Sequence, residues 1–470
     1  MPWRDALHPV TMQRVALLAP RDALRQVLVF VADDGTVAMD DAPTGPDGTS
    51  SPPPAVARLR ALPTGGAITP ALSLSVPDLD RCEQAGRVDL IAGEAEVQQR
   101  AEQALTNGDV AALVGWMPAD ARPKLARRIA ASGGAVVPLP RPAGAEPPTL
   151  LPPAAGSRDF APLINTYGTV PYADINPSML AGLAYVVMFG IMFADVGHGG
   201  LLLLAALATR LGWSKRLARL RPVWLFLALG GIASMAFGVL YGEFFGPTKV
   251  VPTVWIAPLD QPLQLLGAAV ALGALLLAGA YALGTVNRFH EGGWRMAVYA
   301  PSGLAGSALF FGIGAATGGW YLGQPWLVLL GGAVAVGGLS AAYLGLLAAA
   351  GGGGSGAAQA AIELFDMVVR LGSNLVSFAR LGAFGLTHAA LGLVIWAATV
   401  ALWERGLVGA MGALVLFVLG NALVFGLEGL VAGVQALRLE YYELFSRVFE
   451  GQGRPFRPWH IPLSTTEVAP

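Results

Sequence analysis

Apolar residues are distributed very differently before and after about residue 160. The earlier part alternates apolar and charged residues over short distances, as small soluble domains do. From about Met179 to Leu439 there are repeated apolar runs, each long enough to cross a bilayer of about 30 Å. The clear runs cover 222–245, 264–287, 299–322, 326–350, 371–403 and 408–437. The pattern predicts a cytosolic domain at 1–160, a mainly α-helical, polytopic membrane domain at 161–458 and a C-terminal tail at 459–470.

One further apolar stretch, 179–209, is interrupted by Asp195-Val-Gly-His198-Gly. By itself it fits either one long tilted helix or a tight pair of short helices. The connector that follows, Arg210–Arg221, is the most basic one and is therefore predicted to be cytosolic. The N-terminal residues lack the unbroken apolar segment of a signal peptide, which predicts a cytosolic N-terminus. Only an even number of crossings fits before that connector, so we predict a helical hairpin. The total is then eight transmembrane helices, with both termini in the cytosol.

The first 160 residues predict a small α/β domain with a short helical arm. Val110–Trp116 fits a strand and Pro118–Ser132 a helix. Arg81–Gly108 is rich in Ala, Glu and Gln and fits a helix that could pair with Ala55–Leu62. Two other stretches fit either strands or the starts of helices: 13–18 and 26–32. No Gly-rich phosphate loop of the GxxxxGK[ST] type occurs, so no ATP site is expected in this chain. Docking is the expected role of the domain.

Composition supports a membrane protein and excludes several other classes. The chain is 54% hydrophobic and only 13% charged, with a mean hydropathy of +0.57. A net charge of −1 argues against nucleic acid as a partner. With five histidines and a single cysteine, Cys82, the sequence indicates no metal site, no cofactor and no intramolecular disulfide.

Arg380 is the one cation of fixed charge between Leu371 and Trp403. It lies about nine residues inside the apolar run, roughly 13 Å along a helix, which is far for its side chain to reach the headgroups. Arginine at membrane depth costs about 2.5–3.5 kcal/mol even on insertion scales, and intramembrane charges commonly mark ion pathways. At helical spacing, Asn374, Ser377 and His388 share the face of Arg380.

The predicted sidedness orders the polar residues of the last two apolar runs. Glu363, Asn374 and Ser377 lie on the cytosolic side of Arg380, and His388 lies about 12 Å outward of it. The last run returns from outside to inside and carries Glu428 about 15 Å outward of Arg438, with Gln435 near Arg438. Two polar approaches, one from each membrane face, are therefore separated by fixed positive charge. The alternatives are an ordinary buried ion pair for Glu428 and an interior hydrogen-bonded histidine for His388.

Three further ionisable residues lie in or beside the earlier apolar runs. Asp195 and His198 interrupt the predicted hairpin, and Glu243 follows the next run in YGEFFGP. They fit equally well the lining of an outer route and a set of contacts that fastens the hairpin to the next helix. Asn287, Arg288 and their neighbours His290 and Glu291 are predicted to form a solvated connector.

Several motifs, in the same order, resemble the V-type (rotary) ATPase membrane subunit called a or I, the 116 kDa subunit family. FGIMFADVGHGG at 189–200 is similar to the family's FGxMFGDxGHG, and YGEFFGP at 241–247 is similar to its motif after the third helix. SFARLGAFGLTHAAL at 377–391 and the block at 427–458 resemble its last two helices. The chain departs from the family in its shortened N-terminal cytosolic arm and in Phe378, where a tyrosine is usual.

The resemblance implies a stator subunit that passes H+, or Na+, to carboxylates on a rotating proteolipid c-ring without hydrolysing ATP itself. It implies that Arg380 is the essential arginine facing the ring and that Arg438 supports it. It also implies two long tilted C-terminal helices lying against the ring. Glu428 and His388 would belong to an outer half-channel, and Ser377 and Glu363, with Asn374, to an inner one. The expected partners are the c-ring, the peripheral stalk, other subunits of the ATPase and the lipid bilayer, in a prokaryotic cell membrane. A stand-alone ion-conducting or assembly homologue is the alternative, and a secondary transporter is a third.

Overall fold

The computed structural model describes residues 8–40, 52–62, 68–142, 144–152, 160, 168–212, 221, 223–448 and 453–464. The chain divides into two compact units. One, here called the sheet unit, consists of Pro9–Leu151 and Gly453–Pro470. The other, the helical unit, consists of Met1–His8 and Pro152–Gln452. Helices make up most of the described residues, which confirms the predicted fold class at that level.

The sheet unit is an α/β fold built on antiparallel strands. The strands follow the order β2-β4-β1-β5, and β3 also pairs with β4. Its elements are β1 (Met12–Pro20), α1 (Leu24–Asp34), β2 (Ala38–Met39), α2 (Pro54–Ala61), α3 (Leu79–Gln84), α4 (Val88–Glu102), β3 (Leu105–Asn107), β4 (Val110–Pro118), α5 (Arg122–Ala130) and β5 (Ala135–Pro138). The predicted strand at 110–116 and helix within 118–132 are confirmed. The helix predicted over 81–108 is shorter and divided, because the chain turns at Gly86, whose φ is +68°.

The end of the chain belongs to this unit and is not a free tail over its described residues. The backbone N–H of Trp459 donates to Val37 O (2.9 Å), and that of Ile461 donates to Ala32 O (3.0 Å). Both side chains are buried in the core of the unit, at 8% and 1% exposure. The prediction of a separate tail at 459–470 misses this packing, because short segments that pair with distant backbone carry little local pattern.

Nine long helices lie in the described residues of the helical unit. They are α6 (Ser178–Met192), α7 (Val196–Leu211), α8 (Trp224–Tyr241), α9 (Pro262–Tyr299), α10 (Leu304–Tyr321), α11 (Pro325–Ala349), α12 (Gly353–Ser377), α13 (Ala379–Trp403) and α14 (Leu407–Leu439). A π-helical turn (Glu440–Phe445) and a short helix, α15 (Ser446–Val448), follow. By length and composition, five segments of the part of the chain that the structure describes could cross a membrane: Trp224–Tyr241, Pro262–Tyr299, Pro325–Ala349, Gly353–Trp403 and Leu407–Val448. The count of eight crossings therefore remains a prediction.

The helix breaks at 193–195, at the start of the interruption predicted at 195–199, and α6 and α7 run in opposite directions on α8. Tyr185 of α6 packs on Phe226 near the start of α8, with ring centroids 4.4 Å apart. Arg210 at the end of α7 stacks on Trp224 at 4.5 Å. At the start of α7, the backbone N–H of Val196 donates to Glu243 O, just beyond the end of α8 (3.0 Å). Helix α6 is thus parallel to α8 and α7 antiparallel to it, as a hairpin requires.

Two connectors differ from their predictions. The Gly-rich run Gly351–Gly356, whose composition is typical of a flexible linker, is helical from Gly353 onward, because α12 begins there. The connector predicted to be solvated is so only in part, because His290 is exposed whereas Asn287 and Arg288 are 0% and 4% exposed. The Asn287 amide donates to Val448 O (3.0 Å) and accepts from Ile175 N–H (3.1 Å). It therefore ties α9 to the end of α15.

Candidate functional site

The predicted site lies along the contact between α13 and α14, which pack as an antiparallel pair. Arg380 Nη1 donates to Gln435 Oε1 at 3.3 Å. Eight residues further along α13, His388 Nδ1 lies 2.5 Å from Glu428 Oε2. From Arg380 to His388 the chain rises about 12 Å along α13, and from Gln435 back to Glu428 it rises about 10.5 Å along α14. The two polar pairs are therefore separated by nearly the same distance on both helices. The antiparallel packing thus places Arg380 opposite Gln435 and His388 opposite Glu428.

At the first polar pair, Arg380 is only partly buried. It borders an open groove of about 460 Å³ together with Gly372, Ser373, Val376 and Ser377. Gln435 is its hydrogen-bond acceptor. Arg438 is exposed on α14, one turn beyond Gln435. The guanidinium of Arg380 is therefore held from one side by its own unit and faces open space on the other.

A break in the helix positions this arginine. Phe378, between α12 and α13, is fully buried at 0% exposure. Its ring fits against Gly273 of α9, where an added Cβ would lie 2.2 Å from the ring. Because this contact fixes Phe378, it also fixes the orientation of the first turn of α13 about the helix axis. Arg380, two residues later, then faces the groove.

On the predicted cytosolic side, the structure keeps two of the three predicted residues near Arg380. With its amide oriented to suit its neighbours, Asn374 donates to Arg370 O (3.0 Å) and accepts from Arg447 Nη2 (3.3 Å). The Ser377 hydroxyl donates to Ser373 O at 2.9 Å. Glu363 is exposed and accepts from Gln359 (2.9 Å), about 25 Å along the helix from Arg380. The structure therefore does not bring Glu363 together with the others.

Glu443 is a site residue that sequence reasoning missed. It is 7% exposed and lies beside Ser377, within electrostatic range of Arg380 and Arg438. The predicted last apolar run ended at 437, so no role was predicted for this carboxylate. The helical path continues through the π-helical turn to Phe445, and that turn carries Glu443 back towards Arg380. Counting the helical spacing past Arg438 would have found it.

At the second polar pair, His388 and Glu428 form a buried contact. The two side chains are 5% and 14% exposed. A carboxylate and an imidazole this close to each other can exchange a proton. Such a pair can hold and pass on a proton inside an otherwise apolar bundle.

The three ionisable residues of the earlier helices gather beside this pair. The Asp195 side chain caps α7 by accepting from His198 N–H (2.8 Å), and its other oxygen accepts from Gly246 N–H (2.9 Å). The rings of His198 and His388 are 5.4 Å apart. Glu243 is 3% exposed and lies within electrostatic range of Asp195 and His388. Asp195 thus makes the contacts that fasten the hairpin to the loop after α8.

Aromatic rings enclose this cluster. Phe193, Phe245 and Phe425 lie 5.7, 5.1 and 6.2 Å from the His198 ring. The backbone of Phe245 has a φ of +50°, an uncommon conformation for a bulky residue that the surrounding packing must hold in place. The cluster is therefore confined by packing, whereas Arg380 borders an open groove.

Several known proteins are similar to this chain in sequence. The chain matches the V-type ATPase 116kDa subunit family over residues 104–262 and 358–461. It is 27% identical over 368 residues to the A-type ATP synthase subunit I of Aeropyrum pernix, covering 66% of this chain and 51% of that protein. It is 29% identical over 405 residues to the subunit I of Archaeoglobus fulgidus, covering 74% of this chain and 58% of that protein.

The chain spans about half the length of these relatives. The second matched region includes α13, α14 and the π-helical turn, and the first includes the hairpin and the loop with Glu243. Apolar helices of membrane-crossing length agree with an integral membrane protein. Since the matched regions make up more than half of the sequence, the chain belongs to the V-type ATPase 116kDa subunit family.

Proposed function

We propose that this chain is the membrane stator subunit of a V/A-type rotary ATPase. In this proposal, two offset half-channels lead protons to and from carboxylates on a proteolipid ring, and Arg380 faces that ring. The relatives are named as subunits of A-type ATP synthases, which supports a role within a complex of that kind.

The observation that carries the proposal is the environment of Arg380. Within the part of the chain that the structure describes, its polar contact is the neutral side chain of Gln435, and its other side borders the open groove. Glu443 lies within electrostatic range, but no ion pair joins it to Arg380 among the described residues, and a guanidinium at membrane depth without such a pair is costly. A carboxylate from another chain, passing along the groove, would lower that cost. A ring of such carboxylates is the partner that fits.

Polar residues on both sides of Arg380 support the two half-channels. Towards the predicted cytosolic side lie Ser377, Asn374 and Glu443, and towards the other side lie His388 and Glu428. The groups on the two sides are offset along the helices, and the fixed charge lies between them. A positive charge there would oppose a proton that moved directly from one route to the other.

The fold supports an even number of membrane crossings. Residues from both ends of the chain, 9–151 and 453–464, pack in the same sheet unit, and a compact unit lies on one side of a bilayer. The antiparallel α6 and α7 provide the pair of crossings that the basic connector requires. The eight crossings of the proposal are these two helices together with α8, α9, α10, α11, the consecutive helices α12 and α13 counted as one, and α14. The sheet unit would then lie in the cytosol and dock against the stalk and other subunits.

Replacing Arg380 tests the proposal. In the assembled complex, reconstituted in vesicles, Arg380→Ala should reduce ATP-driven proton uptake at least about 100-fold, the upper range of effects for a group that couples two sites. Arg370→Ala is the matched control, since Arg370 lies on the neighbouring helix α12 but is exposed and forms an ion pair with Asp366 at 2.6 Å. Proton uptake by Arg380→Ala at the level of this control would refute the proposal.

Purification distinguishes the alternative role. The proposal expects the chain to copurify with a proteolipid ring after mild solubilisation of its native membrane. Recovery of the chain alone, from membranes in which the proteolipid is present, would favour the stand-alone ion-conducting or assembly protein.

A further inference from the structure

Three metal-binding side chains from two helices meet in the buried cluster beside α8. Asp195 and His198 come from the start of α7, and His388 comes from α13. Each offers a ligand atom, and these atoms all lie within 4.8 Å of one another. The three residues are 0%, 1% and 4% exposed. Nothing in the spacing of these residues along the sequence predicted this arrangement, because 190 residues separate His198 from His388.

The hydrogen bonding of His198 is incomplete. Among the described residues, its Nε2 has no hydrogen-bond partner, and its Nδ1 lies 3.3 Å from Asp195 Oδ1 without the geometry of a hydrogen bond. The aromatic rings around it offer no acceptor or donor in compensation. Leaving a buried polar group without a partner costs about 1–3 kcal/mol. A bound cation that accepts a nitrogen lone pair would remove that cost.

The other two ligands are already oriented. Both oxygens of Asp195 accept backbone N–H groups, from His198 and Gly246. Nδ1 of His388 faces Glu428, so its Nε2 is the nitrogen left for a metal. Carboxylates and imidazoles held in this way by a second set of hydrogen bonds are typical of metal ligands.

We propose that Asp195, His198 and His388 form a site for Zn²⁺ or a similar transition-metal ion. Two imidazoles and one carboxylate suit zinc, which binds them at about 2.0–2.2 Å with four ligands in a tetrahedron. The fourth position would be taken by water. Ligand atoms in such a tetrahedron lie about 3.4 Å apart, so the side chains would close in slightly on binding.

The bound metal would link α7 to α13 and would coordinate the imidazole of His388, which pairs with Glu428. If His388 carries protons, as the proposed function requires, the metal would block the outer route. This consequence rests on the proposed function, whereas metal binding itself does not. The site would then act as an inhibitory site for zinc on the non-cytosolic half-channel.

Metal binding is measured on the purified full-length chain in lipid nanodiscs. Isothermal titration with Zn²⁺ should show one site per chain, and excess Mg²⁺ should not displace the zinc, because Mg²⁺ prefers oxygen ligands. X-ray absorption of the wild-type complex should show two imidazole ligands. This spectrum needs no substitution and is independent of any folding defect in a variant.

Single substitutions locate the site. His198→Gln should weaken zinc binding at least about tenfold, since it removes a ligand. His290→Gln is the matched control, because His290 is exposed on α9 and lies outside the cluster. Equal zinc affinity in His198→Gln and His290→Gln, or an absorption spectrum without imidazole ligands, would overturn the proposal.

A transport measurement separates this inference from the proposed function. In vesicles containing the complex, zinc on the non-cytosolic side should inhibit proton uptake, and a chelator should restore it. Absence of zinc binding, together with loss of uptake in Arg380→Ala, would refute the metal site alone. Zinc binding at the cluster, together with normal uptake in Arg380→Ala, would refute the proposed function alone.

Discussion

The two ends of the polar contact between α13 and α14 differ in how they are enclosed. At the Arg380 end, the charged group is partly exposed, has a neutral partner and borders an open groove. At the His388 end, the acid and the imidazole are 2.5 Å apart and are surrounded by other buried ionisable and aromatic side chains. The same pair of helices thus supports one open and one closed polar site, about 12 Å apart along α13.

This difference follows from what packs on each end. Near His388, the loop after α8 lies directly on α13, and Gly246 meets Gly392 backbone to backbone. Near Arg380, the groove is bordered by Gly372, Ser373 and Val376 of α12, and no described element covers it. The closed end is therefore complete within the chain, whereas the open end is suited to a partner. Changes at the two ends should have different kinds of effect.

The largest effect is expected from filling the contact that closes the outer end. A Cβ at Gly392 would lie 2.7 Å from the Cα of Gly246. Because that neighbour is backbone and cannot rotate away, Gly392→Leu should lower the free energy of unfolding by about 3 kcal/mol, the upper range for overpacking. Thermal unfolding of the purified chain measures this. Gly412→Leu, on α14 where nothing lies within 4 Å, should unfold like wild type. Equal midpoints for both variants would show that the outer end is not closed by this contact.

Removing the charge of the outer pair should mainly affect transport. Glu428→Gln keeps the size of the side chain but loses the negative charge beside His388. We expect proton uptake in the assembled complex to fall at least about tenfold, or about 1.4 kcal/mol. Glu404→Gln, at the exposed end of α13, is the control and should leave uptake unchanged. Normal uptake in Glu428→Gln would mean that the closed pair is only structural.

A smaller effect is expected at the open end from Gln435→Leu. The substitution removes the hydrogen-bond acceptor of Arg380 but not its charge. A hydrogen bond to a charged group contributes about 1.5–3 kcal/mol, of which the solvent in the open groove can replace a part. Proton uptake should therefore fall by a few-fold, less than in Glu428→Gln. Gln359→Leu, which removes an exposed partner of Glu363 on α12, is the control. A larger loss in Gln435→Leu than in Glu428→Gln would reverse the comparison.

The smallest effect is expected from Ser377→Ala. Its hydroxyl already donates to Ser373 O on its own helix, and the nearby groove can supply water in its place. Uptake should change by less than about twofold, since a neutral hydrogen bond contributes only about 1 kcal/mol. Ser340→Ala removes the same kind of bond, to Val336 O on α11, and provides the control. A tenfold loss in Ser377→Ala alone would assign the hydroxyl a direct part in the inner route.

Several parts of the site could be predicted from sequence because they depend on neighbouring residues. The break in the hairpin follows from Asp195, whose side chain caps the next helix through a bond to His198 N–H, three residues away. The common face of Asn374, Ser377, Arg380 and His388 follows from helical periodicity. Placing His388 and Glu428 at the same depth required one further inference, namely that the two helices run in opposite directions across the membrane. The charges of the connecting loops predicted those directions.

Other parts depended on packing between distant segments. Glu443 reaches the Arg380 region only because the helix continues past 437 through a π-helical turn. Glu363 was assigned to the inner route from its predicted sidedness and from the family resemblance, but helix geometry places it about 25 Å from Arg380. The metal-binding cluster joins residues from two helices that no local pattern connects.

By itself, the sequence determined where the helices lie, where the hairpin turns and which arginine is isolated in an apolar run. These features follow from hydrophobic periodicity, capping and charge, which act over a few residues. Only the tertiary structure decided that the His388 end of the polar contact is closed and the Arg380 end open, and that the last described residues complete the sheet unit. Those outcomes depend on backbone approach and side-chain packing between segments far apart in the chain, whose energies no short stretch of sequence contains.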